Sequence, residues 1–190
     1  MRRTFALFVL VVVTATVASA PAFAKATAVE QPPAGPPKPG PEVKKLDYFV
    51  GKWTSTGEMK PSPFGPGGKM TGADTCEWFQ GGFAVVCTST GTGPTGPMKG
   101  LGIMSYSTDL KAYTYYGVDN TGMVMTTVPK GTVKGDTWTY DDESMMGGQK
   151  VKARYTLKIA SPTSYSFTWE MAGPDGKWMP VMTGTATKGK

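Results

Sequence analysis

The sequence predicts an all-β protein, an antiparallel up-and-down β-barrel of about ten strands. Three observations predict it. From Tyr48 onward the chain falls into short alternating segments split by Gly, Pro, Asp and Asn. Nowhere does a 3.6-residue apolar period extend over the length of a helix. And Gly51-Lys52-Trp53 stands at the entry of the first strongly apolar segment. A Gly there lets the backbone pass close to a barrel floor, and the large aromatic beside it plugs one end.

The chain begins with a different kind of segment. Met1-Arg2-Arg3-Thr4 is a short basic start, Phe5 to Ala18 is almost unbroken apolar sequence, and Ala22-Phe23-Ala24 is a small-x-small cleavage pattern. Residues 1–24 therefore read as a cleavable signal peptide of a bacterial protein, periplasmic or secreted. Ala18-Ser19-Ala20 is a second cleavage pattern, but Pro21 would follow the cut. The apolar run, about 14 residues, is short of the roughly 20 that span a bilayer, so no stable membrane insertion is expected after cleavage. Residues 25–41 are dominated by Pro, Ala, Gly and Lys, with Pro32-Pro33 and Pro36-Pro37-Lys38-Pro39-Gly40-Pro41. Such sequence favours extended polyproline conformations and cannot build a core, so it reads as a disordered linker. One domain, residues 42–190, remains.

Composition excludes several chemistries. The chain carries 20 Lys and Arg, 14 Asp and Glu, and no His. Without Arg2 and Arg3 the balance is 18 against 14, a net +4. The positive residues are scattered Lys with no block of like charge, which speaks against nucleic-acid binding. The absence of His removes the Ser-His-Asp triad, the Cys-His pair, His-based zinc sites and proximal-His haem ligation. The two Cys cannot form a four-thiolate metal site. No metal and no cofactor are expected.

The strands are placed at 48–59, 69–79, 83–92, 98–106, 110–118, 122–129, 133–141, 150–159, 163–171 and 178–187. Val151, Ala153, Tyr155, Leu157 and Ile159 alternate with Lys150, Lys152, Arg154, Thr156 and Lys158. That is a half-buried strand with a wet outer face. Tyr165, Phe167, Trp169 and Met171 alternate with Ser164, Ser166, Thr168 and Glu170 in the same way, and Phe49, Gly51 and Trp53 share a face of the first strand. Asp119-Asn120-Thr121-Gly122, Lys134-Gly135-Asp136 and Gly173-Pro174-Asp175-Gly176 are turn sequences. Residues 61–68 and 91–97 are looser Gly/Pro-rich connections that would rim an open mouth. Pro180 within the last segment implies an edge or a bulge.

The segment from Cys76 to Cys87 reads as a hairpin about a two-residue Gly81-Gly82 turn. Counting back pairs Gln80 with Phe83, Trp78 with Val85 and Cys76 with Cys87. Directly opposed Cβ atoms lie within reach of a bond, and an exported protein meets an oxidising compartment, so a Cys76–Cys87 disulfide is expected.

An ordered set of residues then carries a resemblance. It comprises Gly51-Lys52-Trp53, Gly81-Gly82-Phe83, Gly102 followed by Tyr106, Lys111 and Tyr113, Asp119 with Gly122, Arg154-Tyr155, and Asp175-Gly176-Lys177-Trp178-Met179. Over most of residues 44–188 the chain resembles the bacterial domain-of-unknown-function family 1579, a calycin-like or lipocalin-like group. The resemblance implies a calycin-like barrel and no established activity. The family usually has Gly-Tyr-Asp around the central Tyr, where this chain has Ser105-Tyr106-Ser107. Gly-x-Trp also resembles the entry motif of lipocalins and of the haem-binding nitrobindins, whose His ligand this chain lacks.

Trp78, Tyr106, Tyr115, Trp138, Tyr155 and Trp169 are the candidate ligand-binding residues, with Gly51, Trp53 and Arg154 as structural ones. Flexible Met side chains among them suit irregular apolar ligands. Arg154 is the only Arg beyond the signal. In lipocalin-like barrels an Arg commonly packs on the indole of Gly-x-Trp, yet parity places Arg154 outside with Lys152 and Lys158. Asp141-Asp142-Glu143 and Met145-Met146 lack metal-site spacing, and acids look scarce at inward positions. The chain thus reads as an exported barrel, not evidently an enzyme, that binds a small apolar or amphipathic molecule. The alternative is a filled structural or protein-interaction barrel of the cell envelope.

Overall fold

In a computed structural model the chain forms a closed barrel of ten antiparallel strands, each hydrogen-bonded to its sequence neighbours, with the last strand pairing back onto the first. The structure describes residues 35, 37–62, 65–122, 125–146 and 148–189. The signal peptide and most of the linker lie outside the described residues. The strands are β1 Gly51–Met59, β2 Gly68–Trp78, β3 Ala84–Gly93, β4 Gly96–Ser107, β5 Ala112–Asp119, β6 Lys130–Lys134, β7 Thr137–Met146, β8 Gln149–Ser161, β9 Ser164–Ala172 and β10 Trp178–Lys188. A short helix, α1 (Pro41–Lys44), and a 3-10 helix (Lys45–Phe49) precede β1. Among the described residues no helix is long and apolar enough to cross a membrane.

Nine of the ten expected segments contain or overlap a strand, and three details differ. Tyr48 and Phe49 belong to the 3-10 helix and not to β1. No strand covers the described part of 122–129, and the segment expected at 133–141 holds two, because the positive φ of Gly135 (57°) turns the chain between β6 and β7. Pro129, which has no N–H to give a ladder, stands just before β6. Residues 91–97 form no loose loop: β3 and β4 run on until Gly93 pairs with Gly96. The bulge expected at Pro180 is present as a register shift between Pro180 and Met182.

The cysteine hairpin keeps its expected register but not its turn. Trp78 pairs with Val85 and Cys76 with Cys87, and the two sulfurs are bonded. The loop is wider than two residues, since the Phe79 N–H reaches the Ala84 carbonyl and the Gly82 N–H reaches the Phe79 carbonyl. Gly81 and Gly82 both have positive φ, 95° and 74°.

One end of the barrel is sealed. Leu46 and Phe49 of the 3-10 helix are buried against Trp53, Val85, Tyr113 and Trp138. Tilted and edge-to-face ring contacts tighten the cluster: Tyr113 to Trp138 at 4.6 Å, Trp53 to Tyr165 at 5.0 Å and Phe49 to Trp138 at 5.1 Å between centroids. Polar atoms of this plug are satisfied by the wall. The Trp53 Nε1–H donates to the Phe49 carbonyl at 2.8 Å, and the Trp78 Nε1–H to Asp47 Oδ1 at 3.0 Å. The Tyr113 hydroxyl donates to Glu42 Oε2 at 2.7 Å, and the Tyr48 hydroxyl to the Ser164 carbonyl at 2.9 Å. Gly51 is required here: its φ is 121°, and a Cβ would lie 2.9 Å from Lys188 Cε.

Candidate functional site

Strand register decides which side chains face the lumen. Trp53 is buried at the sealed end, so its cross-strand partner Asp74, and Ser89 opposite Asp74, face inward with it. A second row of partners runs Tyr106, Tyr113, Gly131, Tyr140, Tyr155, Trp169 and Met182 from β4 round to β10. Aromatic residues therefore line the wall made by β7, β8 and β9. The facing wall carries Gly57 opposite Gly184, Gly72 opposite Gly91, and Gly102 opposite Gly117. An added Cβ on Gly91 would run into the Thr71 carbonyl oxygen, so that strand pair is sharply coiled.

The lumen is filled at one end and accessible towards the other. Trp53, Cys76, Val85, Tyr113, Trp138, Leu157 and Ala186 are buried. Further up, inward residues such as Met70, Asp74, Ser89, Met98, Met104, Tyr155, Trp169 and Met182 keep accessible surface. Tyr115 is 38 % exposed although it faces inward, with its ring lying over Gly102 and Gly117, 2.9 Å from where either Cβ would be.

Of the candidate ligand-binding residues, Tyr115 and Trp169 face this accessible part, and the half-buried Tyr155 packs against the floor cluster beneath it. Tyr106 and Trp138 pack with Tyr113 at the sealed end, and Trp78 there holds Asp47. Arg154 points outward as parity requires, pairing with Asp141 at 2.8 Å and stacking on Trp178 at 4.4 Å. The place of an Arg on the Trp53 indole is taken by Lys188, whose Nζ lies 5.3 Å from the ring centroid. The acids of 141–143 diverge: Asp141 pairs with Arg154, Asp142 accepts from Thr127, and Glu143 pairs with Lys150. No group of three metal-binding side chains occurs among the described residues.

Sequence reasoning missed the polar centre of the lumen. Acids are not absent from the inner face, because Asp74 and Asp142 both stand on it. The Ser89 hydroxyl donates to Asp74 Oδ1. Burial raises the Asp74 carboxyl above its ordinary value, and the Ser89 bond only partly offsets this. Burial also raises the Tyr115, Tyr140, Tyr155 and Tyr165 hydroxyls above their ordinary value; the Asp74 charge adds to the rise at Tyr115, Tyr155 and Tyr165. These phenols stay protonated at neutral pH. The Tyr140 hydroxyl is the one buried side-chain polar atom without a hydrogen-bond partner among the described residues.

A concavity of about 460 Å³ lies on the outer wall between Thr75, Glu77, Val86, Thr88, Leu101 and Ile103. It is a shallow surface groove. The shifted titratable groups converge on the lumen instead, and the lumen is the candidate site.

A family model with the description "Protein of unknown function (DUF1579)" matches residues 38–188. The chain belongs to this family. No curated protein matches it. Among solved structures, the DUF1579 chain is similar to Rv2717c from M. tuberculosis at a TM-score of 0.59 and 12 % identity, covering 80 % of this chain and 99 % of that one. It is also similar to the S-type phycobiliprotein lyase CPES from Guillardia theta, at a TM-score of 0.54 and 12 % identity over 77 % of this chain and 92 % of that one. At such identities the likeness is one of fold, a closed antiparallel barrel.

Proposed function

We propose that this protein is an exported barrel that holds a small apolar or amphipathic molecule in its lumen. The observation that carries the reading is the accessible inner surface of Tyr115 and Trp169 above a sealed aromatic floor, against which Tyr155 packs. A barrel filled to both ends would bury these rings as it buries Trp138. The Met side chains of the same region adapt to irregular apolar shapes. The basic start, apolar run and small-x-small pattern of residues 1–24 support export, as does the Cys76–Cys87 bond. The likeness to a protein named as a phycobiliprotein lyase is compatible with a ligand.

Titration with N-phenyl-1-naphthylamine tests the reading. Dye emission should rise and saturate at one equivalent, and Trp169→Ala should weaken binding several-fold without unfolding the barrel. Absence of dye binding, or binding unchanged in Trp169→Ala and Tyr155→Ala, would count against it. Intact mass of the exported protein should correspond to a chain starting at Lys25.

One observation favours a second reading, an interaction barrel. Leu101, Ile103, Tyr116 and Val118 form an exposed apolar strip on the outer face of β4 and β5. Such strips mark contact surfaces. A chain that binds no dye but co-purifies with an envelope partner through this strip would establish it.

A further inference from the structure

Resting on the lumen-binding reading, we propose that the ligand is an organic cation, an amine on an apolar body, with Asp74 as its counter-charge. The chain as a whole is basic, with a net charge of +6. Its described inner face has the opposite sign. Register places Asp74 and Asp142 inside, with Asp119 on the same parity at the rim. The Lys residues of β2, β4, β6 and β8 stand on the outward parity. Lys188 alone among the described strand cations faces inward, and it is committed to the floor, where its Nζ–H donates to the Tyr48 carbonyl at 3.0 Å.

Among the described residues Asp74 has no cationic partner. No salt bridge among the described residues includes it, and its side-chain bond comes from the neutral Ser89 hydroxyl. Carboxylates withdrawn from water are ordinarily paired with a charge, since an uncompensated one is costly. Three inward tyrosines share its surroundings, since Tyr115, Tyr155 and Tyr165 all feel its charge. An acid set among aromatic faces is the chemistry that recognises ammonium groups. A second, independent feature points the same way. The Tyr140 hydroxyl on the inner face belongs to a residue only 6 % exposed and has no partner among the described residues, which leaves an oxygen able to accept from an N–H, although as a phenol it can donate as well. An anionic ligand would meet Asp74, Asp142 and Asp119 with no free strand cation inside, among the described residues, to offset them.

The test uses a matched pair of probes, 4-phenylbutylamine and 4-phenylbutan-1-ol, titrated by calorimetry at pH 7.5 into the wild type and Asp74→Asn. The alcohol reports the lumen, and the ratio of the two affinities reports Asp74. The wild type should bind the amine about tenfold more tightly than the alcohol, as a charge-assisted bond would give. In Asp74→Asn that ratio should collapse towards one, with the affinity for the alcohol retained. A wild-type ratio of one or less overturns the proposal with no variant needed, and so does a preference for the amine that survives Asp74→Asn. If neither probe binds, the lumen-binding reading itself falls.

Discussion

Lys188 lies across the Trp53 indole, its Nζ 5.3 Å from the ring centroid, and ties the last strand to the floor through the Tyr48 carbonyl. The last strand of the chain thus supplies a cation to the indole at the entry of the first. Its stem also lies against Gly51, whose φ of 121° is what calls for a glycine. Lys188→Met keeps the stem and removes the charge. A partly desolvated cation–π contact and one charged hydrogen bond together suggest a loss of about 1–2 kcal/mol. A thermal melt should show a fall of roughly 3–6 °C for a domain of this size. An unchanged melting temperature would mean that the contact contributes nothing.

Trp53→Ala tests the floor itself. Trp53 is 2 % exposed and packs on Tyr165 and Tyr48. Truncating a buried Trp costs about 3–5 kcal/mol. Chemical denaturation should report that loss, while the residual folded protein keeps its affinity for N-phenyl-1-naphthylamine. Lost dye binding with unchanged stability would move the ligand site to the sealed end.

How far the sequence carried is visible in particular residues. Parity alone put Trp53, Tyr155 and Trp169 inside and Arg154 outside, because a strand's period of two survives any error in its ends. Asp74 was within reach as well. Pairing Cys76 with Cys87 already sets Asp74 opposite Ser89, on the same face as the disulfide. What parity does not give is height along the barrel axis. Tyr106 and Trp138 face inward yet sit in the floor, and their height follows from strand stagger and from the helical plug. Strand β6, Lys-Gly-Thr-Val-Lys, is short and has no apolar alternation to find, whereas Met123 to Val128 looks like a strand. In the described part of that stretch, Thr126 and Thr127 bond to β7 through their side chains and not through a ladder.

The glycine wall yields a sharper contrast. Gly91→Ala would drive a methyl group into the Thr71 carbonyl oxygen, which belongs to a paired strand and has nowhere to go. Gly135→Ala meets nothing within 4 Å and differs only in its φ of 57°. Overpacking of the first kind costs about 1–3 kcal/mol, and the left-handed turn roughly 1 kcal/mol. Urea midpoints should fall further for Gly91→Ala. Equal midpoints would show that the coil between β2 and β3 relaxes freely.

The disulfide spans 11 residues of sequence and joins partners already in register. Closing a loop of that length in the unfolded chain corresponds to about 2–3 kcal/mol on the chain-entropy account. Cys76→Ala with Cys87→Ala should lower stability by about that much plus a small packing loss, since Cys76 is 4 % exposed and part of the core. Reductant should shift the wild-type melt and leave the double variant unmoved. A wild-type melt insensitive to reductant would contradict a bonded pair.

Asp74 also makes a prediction about pH, and its sign is fixed by the direction of the shift. Burial raises the folded-state value above that of the unfolded chain. Between the two values the native state holds more protons than the unfolded state, so stability falls as pH rises through this window. The penalty is complete above the folded value and vanishes below the ordinary Asp range. Asp74→Asn keeps the shape and never ionises. Its melting temperature should therefore exceed the wild type's at pH 8, with the gap closing as pH drops towards 4. Tyr115, Tyr155 and Tyr165, the phenols that share its surroundings, remain protonated across that range and contribute no slope of their own. A variant less stable than wild type at pH 8 would mean that the Ser89 hydrogen bond outweighs desolvation, and Asp74 would then be a structural carboxylate and not one held ready for a cation.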